Sequence, residues 1–159
     1  MELLKKVKPR SFYASANVYL SIEKLEDLVL DKVVACTPTW DVDNSLSKWK
    51  ATIEAVQEII NFLEKKGVSK SVYVKWSGEG CHVHLHEKAI SPELRKKKNP
   101  MDLAFAVVEY VNAKLSEKIY NIVEKYSAHE LKIENKIDPQ RLFTCPLSLH
   151  KELDKVCVC

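Results

Sequence analysis

In Trp40-Asp41-Val42-Asp43, the strand period of two puts both carboxylates on one face and Trp40 and Val42 on the other. Like charges held side by side are costly unless a cation neutralises them, and hard divalent ions such as Mg²⁺ take carboxylate oxygens. The same Asp-x-Asp also serves loops and helix caps. A second run, Cys81-His82-Val83-His84-Leu85-His86, sends Cys81, Val83 and Leu85 to one face and His82, His84 and His86 to the other. A row of imidazoles binds phosphate, ligates metal, or lines a wetted polar face. Before it, Gly78 and Gly80 in Ser77-Gly78-Glu79-Gly80 permit close approach of a ligand to backbone N–H groups. A third cluster carries Glu134 on a strand, Asp138 in the following turn, and then Arg141, Ser148 and His150.

Hydrophobic spacing supplies the elements that position these groups. Residues 33–36 and 40–42 read as strand interrupted near Pro38, and Asp43-Asn44-Ser45 offers turn chemistry and a helix N-cap. A helix over 47–66 faces Trp49, Ile53, Val56, Ile60 and Leu63 inward and ends at Gly67. Residues 71–76 pair with the histidine run as a hairpin. Ser91-Pro92 opens a short basic helix, and Asn99-Pro100 opens one running to about Tyr126, with Ala104, Val108, Val111, Leu115 and Ile122 on one face. Residues 131–134, 141–145 and 155–158 read as short strands. The class is α/β or α+β, one sheet with helices packed against it.

A chain of 159 residues, 46% hydrophobic and 30% charged, has the composition of one domain, 1–159, that buries a core without disulfide or metal staples. Its net charge of +3 is too small to require nucleic acid, although basic residues cluster at Lys5, Lys6, Lys8 and Arg10 and at 95–98. Three glycines argue against Gly-rich linkers and propellers. No apolar run reaches the roughly 18 residues of a membrane span, and the N-terminus lacks a signal peptide's apolar core, so a cytoplasmic location without membrane contact is expected. The five cysteines, Cys36, Cys81, Cys145, Cys157 and Cys159, lack Cys-x-x-Cys spacing and are expected to be reduced thiols, with no structural zinc.

The order of the clusters resembles the archaeo-eukaryotic primase superfamily, specifically its archaeal small-subunit branch. The resemblance runs from about residue 33 to 150: Trp40 to Asp43, then Ser77-Gly78-x-Gly80-x-His82-Val83-His84, then an acid followed by Arg141-Leu142 and Pro146-x-Ser148-Leu149-His150. It implies an RRM-like primase-polymerase core, α+β with a mainly antiparallel sheet and packed helices. The implied activity is metal-dependent nucleotidyl transfer using two Mg²⁺ or Mn²⁺ ions, with NTP or dNTP, a single-stranded DNA template and a larger primase subunit as partners. By that resemblance Asp41 and Asp43 are metal ligands and catalytic, with Glu134 or Asp138 as the third acid, Glu134 favoured because it faces the same way as Lys132. Ser77, Gly78, Gly80, His82, His84, Arg141, Ser148 and His150 would line the nucleotide site. Glu79 stands where positive charge is expected, and Thr144 where a basic residue is usual. Lacking the family's zinc-binding insert and helical subdomain, and strand-like to Cys159, the chain is expected to be a minimal or truncated core.

Two other readings use the same residues. His82-Val83-His84 also matches the metal-binding histidines of rolling-circle nucleases, which need a tyrosine nucleophile; Tyr110, Tyr120 and Tyr126 are available, with Tyr110 expected in the core. A primase-like module that binds nucleic acid or a partner without catalysis fits the missing triphosphate cations.

Overall fold

Residues 6–150 and 152–159 are described by a computed structural model; Lys5 of the N-terminal basic cluster lies outside them. The fold is mixed α+β, with antiparallel sheets and packed helices. Its centre is a four-stranded antiparallel sheet in the order β5 (Val72–Trp76), β6 (Cys81–Leu85), β4 (Thr39–Asp43), β7 (Lys132–Asn135). Helix α1 (Trp49–Lys65) connects β4 to β5, and α3 (Pro100–Tyr126) connects β6 to β7, after the short basic α2 (Pro92–Lys97). The central elements therefore follow a β-α-β-β-α-β order, with the first strand in the middle of the sheet.

Both long helices pack on the face that Trp40, Val42 and Val83 point into, and these three side chains are fully buried there. On α3 the inward residues are Ala104, Val108, Val111, Leu115 and Ile122, as the spacing predicts. Asn99 caps its first turn by accepting from the Met101 N–H at 2.8 Å, and Pro100 occupies the first helical position. On α1 the buried face is Ala51, Thr52, Ala55, Val56, Ile59 and Leu63. The predicted stripe is rotated: Trp49 and Ile53 are about half exposed, because the small Ala51 and Ala55 let the helix approach closely and leave the larger residues at the margin. Gly67 ends α1 in the left-handed region at φ 83°, its N–H donating to the Glu64 carbonyl.

Several expectations give way to longer-range pairing. Residues 33–36 and 39–43 lie in different sheets: β3 (Val33–Cys36) pairs with β2 (Asn17–Tyr19), and only β4 joins the central sheet. Pro38 separates them. A third ribbon pairs β1 (Tyr13–Ser15) with β8 (Leu142–Thr144). Residues 155–158 make only isolated bridges, Leu149 with Val156 and Trp76 with Val158. The helix cap expected at 43–45 is displaced by a short 3₁₀ turn, Leu46–Lys48, before α1; Asn44 instead donates to the Lys48 carbonyl and to Thr52 Oγ1, both at 3.2 Å. Tyr110 is half exposed and packs edge-on against Phe62, because α3 turns it to the helix margin. Among the described residues no helix is long and apolar enough to cross a membrane, and the five cysteines are unpaired. Burial pushes the Cys36 and Cys81 thiols up to about 12, so both are inert at neutral pH.

Candidate functional site

The sheet face opposite the helices is polar, because alternation along β4 that buries Trp40 and Val42 must turn Thr39, Asp41 and Asp43 the other way. Strand register then decides their neighbours. Asp41 stands opposite His82 on β6 and Glu134 on β7; Thr39 stands opposite His84, and Asp43 opposite Lys132. On β5, Lys75 and Tyr73 continue the rows of His82 and His84. Over this face folds the β1–β8 ribbon, with Phe143 edge-on to His82 at 5.0 Å and to His84 at 5.5 Å. Lys75, almost fully buried, donates to the Thr144 carbonyl at 2.8 Å.

Asp41 is 1% exposed. Its Oδ2 accepts from Arg141 Nη2 at 2.8 Å, and its Oδ1 lies 3.1 Å from His82 Nε2 without the alignment of a hydrogen bond. Burial pushes this carboxyl up, but the His82 imidazole, Arg141 and Lys136 outweigh it and hold it below the ordinary aspartate range. Asp43 behaves oppositely. Partial burial first, then the charges of Asp41 and Glu134, hold its carboxyl above that range. The like-charge tension read from the sequence is therefore real, and in this structure it is relieved at Asp41 by Arg141 and His82.

A cleft of about 300 Å³ opens beside the pair, lined among others by Asp41, Asp43, His82, Arg141 and His150. The glycine turn is what closes its wall. A Cβ at Gly80 would collide with the Val42 carbonyl oxygen, and one at Gly78 would come within 3.2 Å of the His150 ring. The glycines thus serve close packing of the turn against β4 and His150. Ser77 also lines the cleft, yet its hydroxyl is engaged in donating to the Gly80 carbonyl at 3.1 Å. At His150, Nδ1 accepts from the backbone N–H groups of Glu152 and Leu153, which fixes the tautomer with the proton on Nε2 when the ring is neutral.

Other expected residues stand elsewhere. His84 is buried outside the cleft lining, bonded through Nδ1 to Thr39 Oγ1 at 2.9 Å and stacked on Tyr73. Burial, with Lys75 and His82 nearby, pushes its imidazole from 6.5 down to about 3, so it is neutral at physiological pH. His86 has left the strand and caps a 3₁₀ turn at Glu87–Ala89. Ser148, almost fully buried, accepts from the Phe12 N–H at 2.8 Å and so anchors the segment leading into β1. Glu134 lines a neighbouring groove of about 580 Å³, which shares Asp43 and Glu79 with the cleft, and pairs with Lys136 at 2.9 Å. Asp138 is exposed and accepts from the Gln140 N–H at 2.7 Å. Tyr13 and Glu152 also line the cleft. The sequence singled out neither: Tyr13 reaches the cleft only through its long-range pairing with Thr144, and Glu152 only through the local turn after His150.

Among the described residues no three His, Cys, Asp or Glu side chains are arranged to hold a metal ion. The donor chemistry nevertheless suits a hard divalent cation: Asp41 Oδ1 is buried without a hydrogen bond, and Asp43, whose carboxyl feels the charges of both Asp41 and Glu134, adds carboxylate oxygens beside it. Compared with protein-family models, curated proteins and solved structures, the chain matches none.

Proposed function

We propose that this chain is a primase-like nucleotidyltransferase core, in which the cleft binds an NTP or dNTP and extends a strand on single-stranded DNA. One observation carries the reading. Residues from three distant segments, Asp41 and Asp43, Ser77 and His82, and Arg141 and His150, line one cleft. The β-α-β-β-α-β order, with its first strand central in an antiparallel sheet, supports the RRM-like core that the resemblance implies.

The roles follow from the groups. Arg141 is the one cleft cation with a planar fork of donors, suited to phosphate oxygens; His150, with Nδ1 occupied, offers its Nε2–H to the same anion. His82 contacts Asp41 and keeps the carboxylate ionised. Asp41 and Asp43, with Glu134 beside them, would hold Mg²⁺ or Mn²⁺, which would supply positive charge to the phosphoryl oxygens. Asp41 would then exchange its guanidinium partner, and Arg141 would be free for the triphosphate. The Arg141–Asp41 ion pair at 2.8 Å equally favours a second reading, a primase-like module that binds nucleic acid or a partner protein, such as a larger subunit, and has lost transfer. Only one of the two strand histidines lines the cleft, so the nuclease reading gains no support.

Incubation with labelled NTPs or dNTPs, Mn²⁺ and a single-stranded template, resolved on a denaturing gel, tests the proposal. Extended products from the wild type and none from Asp43→Asn are expected. No product from a folded wild type that still binds Mn²⁺-ATP would favour the non-catalytic module.

A further inference from the structure

One aromatic ring at the cleft is open to a ligand, and none of the groups discussed above uses it. Tyr13, 44% exposed, lines the same cleft as Asp41 and Arg141. The other ring there, Phe143, is 3% exposed and spent on His82 and His84. Among the described residues no ring–ring or cation–π contact engages Tyr13, yet its backbone is tied down. It stands opposite Thr144 in the β1–β8 ribbon. Just before it, Phe12 donates to Ser148 Oγ at 2.8 Å and accepts from the Cys145 N–H at 2.9 Å, and Ser11 Oγ donates to the Leu149 carbonyl at 2.7 Å. A rigidly mounted, unstacked ring at the mouth of a charged cleft is a stacking platform in waiting, since every nucleobase has a π-face.

We infer that Tyr13 stacks on the nucleobase of the bound nucleotide, opposite the phosphate end at Arg141. The inference rests on the nucleotide reading proposed above and adds how that site would grip the base. Thr144, the partner of Tyr13, is three residues beyond Arg141, which stands just before β8, a separation of about 10 Å in extended chain. That is the scale of the distance from a nucleobase to the distal phosphates. Stacking tolerates any base, so Tyr13 contributes affinity without selecting a sequence.

Calorimetric titration with ATP and with inorganic tripolyphosphate, both in Mg²⁺ buffer, separates base from phosphate binding. Tyr13→Ala should weaken ATP by about ten-fold, in line with loss of one stacked base, and leave tripolyphosphate unchanged; Tyr13→Phe should bind ATP as the wild type does. Circular dichroism on each variant checks that the ribbon is intact. Equal weakening of both ligands would make Tyr13 a structural residue and overturn the inference, as would ATP binding unaffected by Tyr13→Ala but lost in Arg141→Ala. If the wild type binds neither ligand, the nucleotide reading itself falls and the inference with it.

Discussion

The two faces of the central sheet are both buried at their centres and are built on opposite terms. Toward the helices, Trp40, Val42 and Val83 are fully buried in an apolar cluster. Toward the β1–β8 ribbon, Thr39, Asp41, Lys75, His82 and His84 are all under 9% exposed as well. The difference lies in satisfaction. Of seven buried side-chain polar atoms without a hydrogen-bond partner among the described residues, four belong to this second layer: Asp41 Oδ1, His82 Nδ1, His84 Nε2 and Arg141 Nε. Each such group costs about 1–3 kcal/mol of desolvation, so a layer that concentrates them sacrifices stability.

If the apolar face is the stabilising one, its disruption should produce the largest loss. Trp40→Ala, at a position with 0% exposure between both helices and β6, should cost about 3–5 kcal/mol by urea unfolding. A cost under about 1 kcal/mol would mean that the polar layer, not the apolar one, holds the sheet together.

The polar face should then own the pH dependence. Above pH 6.5 the His84 imidazole is neutral whether folded or not, and it adds no slope. Below that value the unfolded chain takes up a proton that the folded chain refuses until about 3, so stability falls as pH falls through this window, by about 1 kcal/mol per pH unit. His84→Gln can still bond Thr39 and should flatten the curve between pH 6.5 and 4.5. An unchanged slope in that variant would assign the dependence to another group.

Within the polar face, the acid pair should divide. Asp41→Asn removes the ionised partner of Arg141 and His82 and should cost about 2 kcal/mol, whereas Asp43→Asn relieves repulsion from Asp41 and should fall within about 0.5 kcal/mol of wild type. Metal-free thermal unfolding of both variants makes the comparison. Equal losses would show that Arg141 does not neutralise the pair unevenly.

The division between faces also marks what the sequence makes legible. Alternation in 40–43 and 81–85 and the caps at Asn99 and Gly67 are local signals, and the elements they predict are present. The site residues whose partners the sequence leaves open are those fixed by distant chain. Ser148 is consumed by Phe12, 136 positions away, and Asp41 by Arg141, 100 positions away; His86 is lost to a turn that ends the strand one residue early. β1 and β2 are three residues each, too short to carry a period, so neither they nor Tyr13 announce themselves.

The smallest expected effect bears on where the cleft ends. Glu79 is exposed and borders both the cleft and the acidic groove containing Glu134, so its carboxylate adds negative charge where a triphosphate would lie. Because the side chain stands in solvent, screening reduces its influence to the scale of a surface ion pair. Glu79→Arg should therefore tighten ATP by only about two- to five-fold at low ionic strength, with the gain fading as salt is raised, and Glu79→Gln should give less. Neither change alters backbone demands, since the turn's tight positions are the flanking Gly78 and Gly80. Titration of ATP at low and high salt reads the result directly. Were both variants to bind ATP as the wild type does at low salt, the turn would face away from the phosphates, and the polar layer would end at His82 and Arg141 rather than extending across the hairpin.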